Sequence, residues 1–401
     1  MTEIGQTAEI GQTAEIRQTA EIGQTAEIGQ MKWRTCFSSI SASGYKLDIL
    51  KSALQKYLRR REEEKMLWCL SEIYMFEKYS QNEQEKRASK GIITNLLNRL
   101  VIMMDEEMLF VEVNKYIKCM KWIKLFNEGN RENFELLVKV CKTMIGARLL
   151  RLNSDIYSYW WRGAGVYKVI EINNVEIEKE NYEICNKLFS KKEKECETWE
   201  KERNAFIRFV NAFRNHDASC YYWALVLFHS KTKGKTRFRR KDCVYIIWEY
   251  LFQVIENDSR LKECLRLKLE QFFVKTRHEQ HMWLSSAISI ALNRKELDLQ
   301  IKEAEEWDVN IDDDEIEKHF ENRKKMEIDD YAIDMHCSQG RKMGKMKAEF
   351  ALVGCVVMDE DREYYNKEWR DLYIDLKVNA KKYGIMDTNK RPMPNAKSKK
   401  N

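Results

Sequence analysis

The sequence predicts a mostly α-helical protein, and three observations carry that reading. The only two prolines, Pro392 and Pro394, lie at the C-terminal end, so the long stretch before them is free of the residue that most reliably breaks helices. That stretch is rich in Leu, Ile, Lys and Glu, a composition that long helices tolerate and turn-rich β-sandwiches rarely show. Within it, apolar residues recur at a period near 3.6. At 401 residues the chain has length for about two or three domains and ample capacity for a core.

Residues 2 to 30 are five tandem copies of a six-residue unit related to Thr-Ala-Glu-Ile-Gly-Gln, the first lacking its alanine and the third carrying Arg17 in place of glycine. A left-handed β-helix needs three such hexads per coil, so five make fewer than two coils and bury no core. Residues 1–30 are therefore expected to be a disordered leader, with Met31 an alternative start that would leave the fold untouched.

A helical domain is expected over residues 31–165. Its first helix places Ile49, Leu50, Ala53, Leu54, Tyr57 and Leu58 on one stripe, with Lys51, Gln55 and Lys56 on the other side. Arg59, Arg60 and Arg61 stand where that helix exposes its carbonyls. Glu62, Glu63 and Glu64 stand where the next exposes its N–H groups, so both macrodipoles are complemented. Further stripes follow at Ile92, Ile93, Leu96, Leu97, Leu100 and Val101, at Tyr116, Ile117, Met120 and Ile123, and at Leu136, Leu137, Val140 and Met144. Gly129-Asn130 forms a turn between the last two. Short connections between such helices favour antiparallel packing in a multi-helix bundle.

Residues 166–204 read as a charged linker, opening on the β-leaning Val166 to Val175 and passing into an alternating-charge helix around Lys191 to Glu202. A second helical region is expected over 205–300, with core segments at Tyr221 to Phe228, Val244 to Ile255, Leu261 to Phe273 and Met282 to Leu292. Residues 301–379 turn acidic and then basic, and end in a short mixed segment, Phe350 to Val357, with a helix near Glu363 to Val378. Residues 380–401 have no apolar period and read as a disordered tail.

Two stretches carry a resemblance. Gly44-Tyr45, the helix reading Ser52-Ala53-Leu54-Gln55-Lys56, the basic turn Arg59 to Arg61 and the aromatic Trp68 resemble the helical C-terminal collar of clamp-loader-like ATPases of the replication-associated recombination protein A family. The resemblance covers roughly residues 43 to 76 and leaves out the ATPase half. It implies a helical assembly module whose partner is a clamp-loader-like ATPase or a second copy of the chain. A longer resemblance runs through Thr94 to Leu100 and on to Asp334 to Lys345. Its counterparts are uncharacterised proteins of large DNA viruses, and it implies a lineage without an activity.

Charge localises the nucleic-acid question. The chain is +6, and residues 380–401 hold seven cations against Asp387, which is the whole excess. The body before the tail sums to zero, so binding to DNA is a matter of the tail and of local patches. The eleven cysteines form no CxxC pair, and Cys69, Cys119, Cys141, Cys243 and Cys264 sit in apolar helical pattern, which points to reduced thiols and an intracellular location. No signal peptide is read, and Trp223 to Phe228 is too short to span a membrane.

Catalytic and ligand motifs fall short of completion. Gly234-Lys235-Thr236 follows an apolar run as a phosphate loop would, but His229 occupies the position where that loop requires glycine. Asp308, Asn310, Asp312 and Asp314 have the alternation of a calcium loop, yet Asp313 stands at the glycine position and His319 at the bidentate glutamate. His278 and His281 share a helical face without a third ligand placed by sequence. No cofactor, metal or catalytic group is assigned.

The better candidates are basic. Gly340-Arg341-Lys342-Met343-Gly344-Lys345-Met346-Lys347 puts Arg341, Lys342, Lys345 and Lys347 beside two glycines that would let a backbone approach a phosphate. The competing reading is that Asp329, Asp330 and Asp334 neutralise those cations within the protein. Lys235, Arg237, Arg239 and Arg240 make a second patch, with Phe238 available to stack on a base. The sequence thus points to a non-enzymatic DNA replication or repair accessory, and the alternative is a virion-associated structural protein with a non-specific basic tail.

Overall fold

A computed structural model describes residues 31–34, 38–162, 176–189, 199–230, 243–255, 259–297, 309–320 and 325–379. The leader 1–30, the β-leaning 166–175, the basic patch at 235–240 and the tail 380–401 lie outside the described residues. The all-α class is as expected. Among the described residues there is no strand, and the bridges Lys32–Ile40, Ile40–Lys46 and Met108–Leu149 are isolated.

The chain forms two compact units, and neither is continuous in sequence. The first takes Met1–Leu100, Trp122–Lys142 and Asn310–Lys345; the second takes Val101–Lys121, Thr143–Val309 and Met346–Asn401. The sequential division expected at 166–204 is thus not the one that contacts make. Its reason lies in the first helix.

Helix α1 (Leu47–Arg59) buries its apolar stripe, with Leu50, Ala53, Leu54, Tyr57 and Leu58 wholly enclosed. Each such leucine contributes about 1.5–3 kcal/mol of transfer free energy. The polar side is enclosed too: Lys51, Ser52, Gln55, Lys56 and Arg59 are all buried. An amphipathic helix has one face for a core, so the other face here needs a polar cover. Asn95 and Arg99 meet Lys51 and Gln55, while Ala332 and Asp334 meet Ser52 and Lys56 and so bring a distant piece of chain into this unit.

The corner after α1 is built on Arg61, whose backbone is left-handed at φ 59° and closes the helix as a C-terminal residue in that region does. Helix α2 (Glu63–Lys78) leaves the corner and buries Met66, Leu67, Cys69, Leu70, Ile73, Tyr74, Met75 and Phe76. Helix α3 (Glu83–Glu107) and helix α4 (Val113–Glu128) each straddle the division between units, and α5 (Phe134–Ile145) lies mostly in the first. Tyr74 packs on Phe134 at 4.7 Å between ring centres. Its hydroxyl donates to the carbonyls of Arg131 and Glu132, which fixes the α4–α5 turn where Asn130 and Arg131 both have positive φ.

The second unit holds α6 (Leu152–Tyr157), which runs into a π-helical turn (Ser158–Arg162), then α7 (Lys179–Leu188), α8 (Trp199–Arg214), α9 (Ser219–His229), α10 (Tyr245–Val254), α11 (Ser259–Val274) and α12 (Arg277–Leu292). Phe206, Phe209 and Phe213 of α8 meet Tyr250 of α10 edge-on, at 6.0, 5.9 and 5.5 Å. Thr276 and Glu279 form a reciprocal cap that starts α12. Lys268 of α11 donates to Asp105 at 2.6 Å, both side chains being enclosed, and its ammonium lies 3.8 Å from the Tyr116 ring centre. Burial pushes the Asp105 carboxyl up, and Lys268 opposes it.

Helix α13 (Asp313–Lys318), a 3-10 turn (Asp330–Ala332) and α14 (Ser338–Lys342) complete the first unit. In the second, α15 (Lys347–Glu349) runs into another π-helical turn (Phe350–Gly354), followed by α16 (Lys367–Val378). The C-terminal segment expected to be mixed is therefore helical. Ala351, Cys355 and Tyr373 form its small core, with Phe350 and Ile374 packed against it. The nine described cysteines are buried free thiols. No described helix is long and apolar enough to cross a membrane.

Candidate nucleic-acid interface

The corner of α1 and α2 and the basic glycine segment, far apart in sequence, are one structural site. Residues 326–345 run as a strap over the polar side of α1. Tyr45 donates to the Met326 carbonyl at 2.9 Å, and Ser52 to the Ala332 carbonyl at 2.7 Å. Tyr57 and Lys65 both donate to Asp329, at 2.9 and 2.8 Å. The Tyr331 ring packs edge-on to Tyr57 on one side and takes the Arg60 guanidinium on its face, 3.9 Å from the ring centre, while its hydroxyl donates to Glu62. Arg60 and Glu62 thus serve the strap as well as the helix ends.

At the centre, Lys56 pairs with Asp334, with side chains only 4% and 6% exposed. Burial raises a carboxyl, but the hydrogen bonds from His336 and the Lys56 charge outweigh it and hold Asp334 well below the usual carboxylate range. The backbone N–H of His336 donates to the same carboxylate at 2.8 Å. Asp48 anchors the far end by accepting the Ser338 N–H at 2.6 Å.

Both glycines of the segment have structural tasks. A Cβ on Gly340 would run into the Asp334 backbone carbonyl, so the strap closes on itself there. Gly344, at φ +78°, ends α14: its N–H donates to the Arg341 carbonyl and that of Lys345 to the Gly340 carbonyl, the paired bonds of a Schellman stop. The close backbone approach expected for a phosphate is made by the chain's own Asp334.

The four predicted cations divide accordingly. Lys345 donates to the carbonyl and carboxylate of Asp330, at 2.6 and 2.7 Å, and its side chain is 8% exposed, so its charge is committed within the fold. Arg341 is exposed, with one nitrogen bonded to the carbonyls of Met335 and His336. Lys342 is exposed next to it. Lys347 is half-buried and belongs to the second unit. Of the upstream acids, Asp330 does pair with this segment, whereas Asp329 and Asp334 reach Lys65 and Lys56. Lys235, Arg237, Phe238, Arg239 and Arg240 lie outside the described residues.

The ligand motifs set aside in the sequence take ordinary places. Asp312 caps α13 by accepting the Asp314 N–H. His281 lies against Tyr157, 3.9 Å between ring centres with the planes tilted by 31°, and the side chain of His278 is outside the described set. Among the described residues, no group of three or more His, Cys, Asp or Glu is arranged to hold a metal. No family model, curated protein or solved structure matches the chain, so the reading of this site rests on its own geometry.

Sequence reasoning missed Lys56 and Tyr57 as members of the site, and it set Asp329 against the nearby cations where the fold pairs it with Tyr57 and Lys65. Their partners lie some 270 residues away, and no local pattern encodes that pairing.

Proposed function

We propose that this chain is a non-enzymatic, helical accessory of DNA replication or repair that holds nucleic acid through exposed cations and assembles with a clamp-loader-like ATPase or with itself. The observation that carries the reading is the strap: it offers Arg341 and Lys342 to solvent on a backbone pinned by buried contacts. Cations fixed in this way meet phosphates without the ordering cost that a flexible chain incurs on binding. The basic residues at 235–240 and in 380–401 add sequence-independent attraction.

Anisotropy of labelled duplex DNA, measured across a salt series, tests this. Deleting residues 380–401 should weaken binding and flatten the salt dependence by close to one unit of slope for each phosphate that the shortened chain no longer neutralises. In the deleted protein, Lys342→Glu should weaken what remains while leaving the thermal melt unchanged, since Lys342 is exposed. Residual binding indifferent to Lys342→Glu would refute the strap as the interface. Affinity residing wholly in 380–401 would instead support the virion-associated structural reading, in which a basic tail tethers without specificity.

A further inference from the structure

In the second unit, a cavity of about 40 Å³ lies at the corner where α8 ends and α9 begins, and Arg208, Asn211, Asn215, Asp217, Ser219 and Trp223 line it. Its floor is enclosed, with Asn211, Ser219 and Trp223 only 4%, 3% and 7% exposed. At its mouth Asn215 and Asp217 are exposed and Arg208 is half-buried. The backbone fixes the corner. His216 is left-handed at φ 53°, its N–H donates to the Phe213 carbonyl and that of Asp217 to the Ala212 carbonyl, so α8 stops as α14 does. The Asp217 carboxylate then accepts the Ser219 N–H at 2.8 Å, which starts α9.

The direction of one buried amide follows from its neighbours. Arg214 donates to Glu180 at 2.9 Å and to Asn181 Oδ1 at 3.1 Å. A guanidinium only donates, so the oxygen of Asn181 faces it. The Asn181 nitrogen faces the other way and donates to Asn211 Oδ1 at 2.9 Å. Asn211 therefore turns its own Nδ2 away from Asn181 and offers it to the cavity as a donor. The Ser219 hydroxyl and the Trp223 indole N–H belong to the same lining, and among the described residues neither has a hydrogen-bond partner. The indole nitrogens of Trp248 and Trp283 are sealed by packing, whereas that of Trp223 is not. The Arg208 guanidinium carbon stands 5.4 Å from the Trp223 ring centre and brings a charged donor to the group.

A lining of this kind calls for an acceptor. Amide, hydroxyl, indole and guanidinium face a single carboxylate, that of Asp217, and one of its oxygens is already taken by the Ser219 N–H. An oxyanion satisfies several such donors at once. Size and charge then choose among oxyanions. One water needs about 10–15 Å³ of such space, so about 40 Å³ seats roughly three atoms of that size, the extent of a carboxylate group and less than that of a nucleobase. Arg208 and Asp217 together are formally neutral, which favours a monoanion over a phosphate dianion.

We propose that this cavity binds the carboxylate group of a small ligand, held by Asn211 Nδ2, Ser219 Oγ, Trp223 Nε1 and the Arg208 guanidinium. It opens at the N-terminal end of α9, where the helix dipole also favours an anion. The site shares no residue with the strap and is independent of the nucleic-acid reading. A free organic acid and the C-terminal carboxylate of a peptide present the same group, and the experiment separates them.

The first arm titrates the full chain with acetate at constant ionic strength and follows the Trp223 indole N–H and the Asn211 side-chain amide by NMR. Saturable shifts of both are expected, with affinity about tenfold or more weaker in Arg208→Gln and in Ser219→Ala, because each removes a hydrogen bond to a charged group. Asp217 is exposed, so Asp217→Asn is expected to fold even if the other variants do not. It keeps an oxygen for the Ser219 N–H and removes a like charge, and it should therefore bind acetate more tightly than the native chain. The second arm compares tri-alanine bearing a free C-terminal carboxylate with its amide. Tighter binding of the free acid than of acetate, lost in the amide, assigns the site to a peptide terminus; binding of acetate without binding of the peptide assigns it to a free acid. The absence of a saturable shift, affinity indifferent to both Arg208→Gln and Asp217→Asn, or inorganic phosphate binding more tightly than acetate, overturns the proposal.

Discussion

Lys56 and Asp334 carry opposite charges into a place where neither reaches water freely. Removing one partner of such a pair leaves the other uncompensated, so Lys56→Met should destabilise the first unit by about 3–5 kcal/mol in chemical denaturation. Replacing both, as Lys56→Met with Asp334→Leu, should recover much of that loss, because hydrophobic substitutes relieve the desolvation cost. The pH dependence follows from the depressed carboxyl of Asp334. Its contribution is present above the unfolded value of about 3.9 and is lost as the pH falls through that value toward the folded one. Stability should therefore decline below about pH 4 in the native protein and decline less in Asp334→Asn, as read by denaturation midpoints across a pH series. Little of this was visible in the sequence. Lys56 read as the polar side of an amphipathic helix, and Asp334 as one acid among several beside a basic run.

Elements were more legible. The buried stripes of α1, α3 and α4 match the periodic residues named from the sequence, and the core segments from Tyr221 to Leu292 lie in α9 to α12, because 3.6-residue periodicity is a local property. The exceptions come from packing with no local trace. The polar side of α1 is covered, and the two glycines of the basic segment shape the strap rather than a ligand cradle. Gly340 gives the sharper test at this scale. A methyl group there meets backbone, which cannot swing aside as a side chain would, so Gly340→Ala should cost about 1–3 kcal/mol and most of that in the first unit. Gly344→Ala should cost less, since the space around it is open and only the left-handed backbone opposes the change. An equal penalty for both, measured by thermal denaturation, would mean that the strap repacks around the methyl group.

Across the whole molecule, composition and proline placement were enough to give the α class, and charge arithmetic was enough to isolate residues 380–401. The division into units was not legible, since it depends on which distant segment covers α1. That dependence is itself testable. A chain ending before residue 325 should lose hydrogen-exchange protection in α1, although every residue of the helix is present. It also sets a timetable for biosynthesis. Tyr57 leaves the ribosome 272 residues ahead of Asp329, its partner across the strap. At about 5–20 residues per second, the first unit waits roughly 15 to 55 s with α1 half-clothed before it can close. Through that interval the nascent helix, with charged side chains destined for burial and an apolar stripe on its other side, is a client for whatever in the cell shelters unfinished chains.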